Sequence, residues 1–168
     1  MSQRFESRRL GQRVTIDKRA IAAMFEAAAA ERPHETGGIL IGRYAAADSA
    51  YIDHATTAPG DSKSGAAWFE RGTAGLEKVL RQHWDAPVRR YYVGEWHFHP
   101  APGAAPSGQD VAQMLLVATD RRYDCRQPIL VIVAADHDLH WNVRVFSFPP
   151  DGWVDEMLPV GQQEEPSP

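Results

Sequence analysis

Residues 90–118 read RYYVGEWHFHPAPGAAPSGQDVAQMLLVA. The first ten of them, Arg90 to His99, are rich in aromatic residues and predict a β-strand. Pro100, Pro102, Gly103 and Pro106 then break regular structure, and a helix is expected to begin at Ser107 with Val111, Met114, Leu115 and Ala118 on its apolar face. On such a strand His97 and His99 leave the same face, with Cα atoms roughly 7 Å apart, close enough to converge on one ion. Trp96 and Phe98 point the other way and are expected to pack beneath them. Asp110 falls in the first turn of the helix, where the helix dipole favours its ionised form. Two neutral imidazoles and one carboxylate leave a fourth tetrahedral position for water, the pattern of a catalytic zinc site rather than a structural one.

Working outward, Asp17 can cap a helix whose apolar residues Ile21, Met24, Phe25 and Ala28 fall at i, i+3, i+4 and i+7, with Pro33 just beyond its end. Gly37 to Tyr44 and Tyr51 to Thr57 read as two strands of a hairpin. Residues 59–66 (PGDSKSGA) concentrate turn-forming residues and predict an exposed loop, followed by a short strand at Ala67 to Glu70. A second helix from Thr73 to Trp84 places Leu76, Val79, Leu80 and Trp84 on one face and ends before Pro87. Ile129 to Ala134 predicts a fully buried strand, and His140 to Phe148 its antiparallel neighbour across the turn Asp136 to Asp138. Six strands and three helices without regular alternation indicate an α+β fold. Residues 1–160 read as one domain, and the polar tail 161–168 (GQQEEPSP) as disordered.

The length of 168 residues fits one domain, and 43% hydrophobic residues suffice for a core. A net charge of −4 argues against a nucleic-acid partner held by phosphate contacts. Cys125, the single cysteine, permits no internal disulfide and points to a reducing cytoplasm. No apolar run suggests a signal peptide or a membrane span.

A hydrolytic zinc site needs a proton acceptor for its water, whose pKa zinc can lower to about 7. Glu35 is the candidate, because it directly precedes the strand that would lie beside the histidine strand, and Gly37 and Gly38 permit close approach. Glu95 is a rival on the histidine strand itself, or alternatively a partner for a ligand imidazole. Taken singly these residues have plainer readings. Glu35 is then a solvated loop carboxylate, and Ser107 with Asp110 is a helix capping box, a role compatible with catalysis. His137 and His140 belong to a turn rather than a second metal site, and His34, His54 and His83 are surface or structural residues. Cys125 is a packing residue.

Taken together, Glu35-Thr-Gly-Gly-Ile-Leu-Ile-Gly42, His97-Phe-His99-Pro100 and Ser107-Gly-Gln-Asp110 resemble the complete signature of the JAMM/MPN metalloprotease family. The resemblance runs from the first helix to about Phe148. It implies a cytidine-deaminase-like mixed β-sheet sandwiched by helices. It further implies Zn2+ held by His97, His99 and Asp110, Glu35 as general base and then acid, and Ser107 as an oxyanion donor. The chain is similar in particular to deconjugating enzymes encoded beside bacterial E1- and E2-like proteins in antiphage operons of the CBASS or bacterial ubiquitin-like (Bil) type. Such a resemblance implies cleavage after the C-terminus of a ubiquitin-like or similarly conjugated protein, with E1- and E2-like proteins as candidate partners, in a cytoplasmic monomer or homodimer. Trimming of a sulfur-carrier protein is a second enzymatic reading, and a noncatalytic MPN scaffold is one of another class.

Overall fold

The Asp17 carboxylate accepts the Arg19 backbone N–H at 2.9 Å and so starts the first helix where its spacing predicts. Two short strands precede it. The computed structural model describes residues 1–100, 105–125, 127–135 and 140–161. The elements run β1 (Gln3–Glu6), β2 (Arg13–Ile16), α1 (Lys18–Glu31), β3 (Thr36–Ala46), β4 (Ser49–Ala55), β5 (Lys63–Gly65), β6 (Trp68–Glu70), α2 (Leu76–Trp84), β7 (Tyr91–His99), α3 (Gly108–Thr119), β8 (Ile129–Ala135), β9 (Trp141–Ser147) and β10 (Asp155–Pro159). The breaks expected at Pro102 and Gly103, the turn Asp136 to Asp138 and the tail from 162 onward lie outside the described residues.

The expected strands and helices are present, but the sheet is not an open layer between helices. Eight strands in the order β1-β10-β9-β8-β7-β3-β4-β2 close into a barrel. It is mixed, as read: β7 and β8 run parallel, as do β2 and β4, while β3 pairs antiparallel with both β4 and β7. The closing strands β1, β2 and β10 escape a reading of apolar pattern for a physical reason. They are four or five residues long, and they bury only Phe5, Val14, Ile16 and Met157. Backbone pairing with their neighbours holds them in place.

The two faces of β8 separate two cores, as the two-residue side-chain period requires. Ile129, Val131 and Val133 join Trp96, Phe98, Leu40 and Ile52 around the apolar stripe of α1, Ala20, Ile21, Met24 and Ala28. Leu130, Ile132 and Ala134 face the other way, against Met114 with Val111 and Leu115 of α3. Trp96 and Phe98 are fully buried on the α1 side, and the Trp96 indole donates to the Thr56 carbonyl at 2.8 Å. The histidine strand is therefore clamped between its neighbours before any ligand is considered. Gly94 is required within it: φ is +154°, and an added Cβ would sit 1.8 Å from the Ile129 carbonyl oxygen.

Two expectations need correction on the way to the site. Residues 63–65, expected as exposed loop, are strand β5, paired with β6 in a small hairpin outside the barrel. Helix α2 starts at Leu76 rather than Thr73, because the Thr73 and Ala74 N–H groups are bound by the Asp61 carboxylate and Gly75 turns the chain at φ +80°. None of its side chains is fully buried, and Trp84 lies largely in solvent beneath the Arg89 guanidinium. Among the described residues no helix is long and apolar enough to cross a membrane.

Candidate metal centre

Strand β7 and the start of α3 bring His97, His99 and Asp110 together, with one ligand atom from each lying within 4.8 Å of the others. His97 Nδ1 is 2.7 Å from Asp110 Oδ1 and His99 Nε2 is 3.4 Å from Asp110 Oδ2. A capping box aims Asp110. Ser107 Oγ accepts the Asp110 N–H at 3.1 Å, and Asp110 Oδ2 accepts the Ser107 N–H at 2.6 Å. The cap read from sequence thus sets the direction of the carboxylate. His97 and Asp110 are buried. The Nε2 atoms of both histidines are buried without a hydrogen-bond partner. Two imidazoles and a carboxylate converging in a largely buried setting, with His99 Nε2 still lacking a hydrogen-bond partner, fit a divalent cation of borderline softness. Among the described residues this is the one such group.

The neighbouring hairpin and β3 pack against these ligands. The Phe69 ring meets the His97 imidazole edge-on at 5.4 Å, and the Phe69 carbonyl accepts from Gln109 Nε2 at 3.3 Å. Gly37 pairs with His97 across the β3–β7 ladder, and an added Cβ there would lie 2.8 Å from both His97 Cδ2 and Phe69 Cε1. A glycine is therefore what lets the ring and its aromatic neighbour occupy their positions. Thr36 pairs with Phe98, so Glu35 stands one register step further out, beside His99. Its N–H donates to the Gly65 carbonyl at 2.8 Å, which ties the hairpin to this end of β3.

The charges at the site are strongly coupled. Burial opposes the charged form of His97, but hydrogen bonding to Asp110 and contact with Glu95 outweigh it and raise its pKa to about 9. Burial also opposes ionisation of Asp110, yet contacts from His97 and His99 and the Ser107 N–H hold its carboxyl far below the usual range. Glu95 is brought down to about 2 against its burial by His97 and Arg71. Glu35 moves the other way: burial raises its pKa, the Asp110 charge adds to the rise, and His99 and His97 offset part of it. The Glu35 carboxyl thus senses all three members of the cluster.

A stability profile follows for protein stripped of metal. Glu95 contributes fully above its unfolded value of 4.5 and loses that contribution as pH falls toward about 2. His97 contributes fully below its unfolded value of 6.5 and loses that contribution as pH rises toward about 9. Thermal unfolding of stripped protein should therefore show a maximum between pH 4.5 and 6.5. On the alkaline side the decline should be on the order of 1 kcal/mol per pH unit. Loading a divalent metal, which takes neutral imidazole, should abolish the alkaline decline.

The remaining candidates fall as follows. Glu95 is buried on β7, and Arg71, which belongs to no motif in the sequence, binds it: Arg71 Nη2 donates to Glu95 Oε1 at 2.8 Å. No linear spacing signals this pair, since Arg71 arrives from the far end of the hairpin. Cys125 is buried beside the Tyr44 hydroxyl, and burial pushes its thiol up to about 11, as suits an inert packing residue. The His54 and His83 rings meet edge-to-face at 4.3 Å and do not belong to the metal cluster. His137 lies outside the described residues.

The family described as prokaryotic homologs of the JAB domain matches residues 17–144. A protein of Enterobacter hormaechei subsp. hoffmannii named CD-NTase/cGAS isopeptidase is 45% identical over 104 residues, which are 61% of this chain and 57% of that protein. A Pseudomonas aeruginosa protein of the same name is 34% identical over 100 residues, 59% of this chain and 62% of that one. The chain thus matches less than two thirds of the length of either relative. The solution structure of protein DSY2949 from Desulfitobacterium hafniense superposes with a TM-score of 0.61 over 85% of this chain and 88% of that one at 23% identity, a likeness of fold alone.

Proposed function

The chain belongs to the family of prokaryotic homologues of the JAB domain, and from that premise we propose that it is a zinc-dependent isopeptidase. Its substrate is a bond joining the C-terminus of a ubiquitin-like, or similarly conjugated, protein to its target. The reading is carried by the largely buried cluster of His97, His99 and Asp110 with the Glu35 carboxyl electrostatically linked to it. The names of the two relatives extend the substrate to a CD-NTase held in such a linkage. Residues 1–160 are the catalytic domain, acting in the cytoplasm as part of antiphage defence.

When bound, zinc supplies Lewis-acid chemistry toward the scissile carbonyl and lowers the pKa of water. His97, His99 and Asp110 would hold it. Glu35 takes a proton from the attacking water and returns it to the leaving nitrogen as the C–N bond breaks. The raised pKa of Glu35 suits both halves of that task. Ser107 Oγ accepts the Asp110 N–H with a lone pair, so its own O–H remains free to donate to the developing oxyanion.

The test is cleavage of fusions in which a ubiquitin-like protein, or a CD-NTase, is joined through its C-terminus to a reporter. Cleavage should stop on chelation and return with zinc. Ser107→Ala should lower turnover about 100-fold or more, and through the lost cap it should lower stability by about 1 kcal/mol. Zinc-loaded protein that binds these fusions and cleaves none would overturn the reading in favour of a noncatalytic scaffold.

A further inference from the structure

We propose that Glu95 and Arg71 form a positioning pair that makes His97 a metal ligand through Nδ1, an inference that rests on the metal-centre reading above. Glu95 is 1% exposed and shares a face of β7 with His97. Its two oxygens have different tasks. Oε1 accepts Arg71 Nη2 at 2.8 Å and the Tyr92 hydroxyl at 3.2 Å. Oε2 lies 3.6 Å from His97 Nε2, the ring nitrogen that has no hydrogen-bond partner. On the opposite side of the ring, Nδ1 faces Asp110 at 2.7 Å.

A neutral imidazole carries one proton, and its position selects the ligand atom. A carboxylate facing Nε2 favours the proton there and leaves the Nδ1 lone pair to the cation, whereas the other tautomer would point a proton at it. Arg71 completes the device. Its side chain is 8% exposed, Nη1 is anchored to the Gly72 carbonyl, and Nη2 holds Oε1 so that Oε2 is left to the ring. A buried ion pair of this kind contributes little net stability, since desolvation consumes most of its attraction. Its place one ring away from the cation gives it a second task. Arg71 directly follows β6, whose Phe69 packs on the same imidazole, so one hairpin delivers both the ring's packing partner and the clamp on its carboxylate.

The experiment measures Zn2+ affinity on the whole chain, without substrate, by competition with a chromophoric chelator. Glu95→Gln should weaken binding 10- to 100-fold. The double variant Glu95→Gln with Arg71→Met leaves no unpaired buried charge. It should remain weakened to the same extent and shift the visible spectrum of the Co2+-substituted protein. A folded double variant with wild-type affinity and spectrum would overturn the inference. A readout that needs no variant is the nitrogen-15 spectrum of the histidines in the Zn2+-loaded wild type. It should show His97 protonated at Nε2, and a proton at Nδ1 would overturn the inference. Wild-type protein that takes up no Zn2+ would overturn the metal centre and this inference together, whereas zinc-loaded protein that cleaves nothing but carries the expected tautomer overturns the proposed activity alone.

Discussion

Glu35→Gln is expected to reduce turnover by about 10²- to 10⁴-fold, the range that positioned proton transfer contributes, while zinc content and melting temperature stay at wild-type values. Glu35 is only half-buried and lies outside the cluster of ligand atoms. Its structural tie is the backbone bond from its N–H to the Gly65 carbonyl, which a glutamine makes equally well. Glutamine keeps the size of the side chain and removes its capacity to take a proton. Turnover of a conjugate fusion, zinc content by elemental analysis and thermal unfolding read the three quantities separately. Full turnover in zinc-loaded Glu35→Gln would remove Glu35 from the mechanism and leave Glu95 as the acidic residue next to the ligands. That replacement is a poor one on physical grounds, because Glu95 is held by Arg71 and its low pKa makes it a weak proton acceptor.

Trp96→Ala should act through the fold, costing about 3–5 kcal/mol, a large part of the ~5–15 kcal/mol that holds a typical domain together. The indole is fully buried against the α1 core, and its N–H satisfies the Thr56 carbonyl. Removal leaves a cavity and an unpaired acceptor at once. Since Trp96 separates Glu95 from His97 in β7, zinc affinity should fall with the melting temperature, in contrast to Glu35→Gln, where neither moves. Trp96→Phe keeps most of the volume and loses the hydrogen bond, so it should fall between wild type and Trp96→Ala in denaturant unfolding. A Trp96→Ala protein with an unchanged unfolding midpoint would contradict the clamped arrangement of the histidine strand.

Much of the site can be read from local sequence because its geometry is local. The alternation in GEWHFHP sends His97 and His99 to one face and Trp96 and Phe98 to the other, and the structure keeps that division. Ser107 and Asp110 meet through a capping box, a contact spanning three residues, and it is present with both of its bonds. The apolar run of β8 and the stripe of α1 likewise carry their burial in their composition. The place of Glu35 at the start of β3 was legible from the residues that follow it, because Gly37 marks where β3 approaches the histidine strand.

The chain's residues by themselves determined which side chains have metal-binding or acid/base chemistry and which strand carries the two histidines, since these depend on side-chain type and short-range periodicity. Only the tertiary structure decided the closure of the sheet, the β5–β6 hairpin in place of a loop, and the union of Arg71 with Glu95 behind His97. The physical reason is the same in each case. The strands β1, β2 and β10 are held by backbone hydrogen bonds to their neighbours, which nearly every residue type can donate and accept. The Arg71–Glu95 contact forms across 24 positions of chain, with no pattern of spacing to announce it.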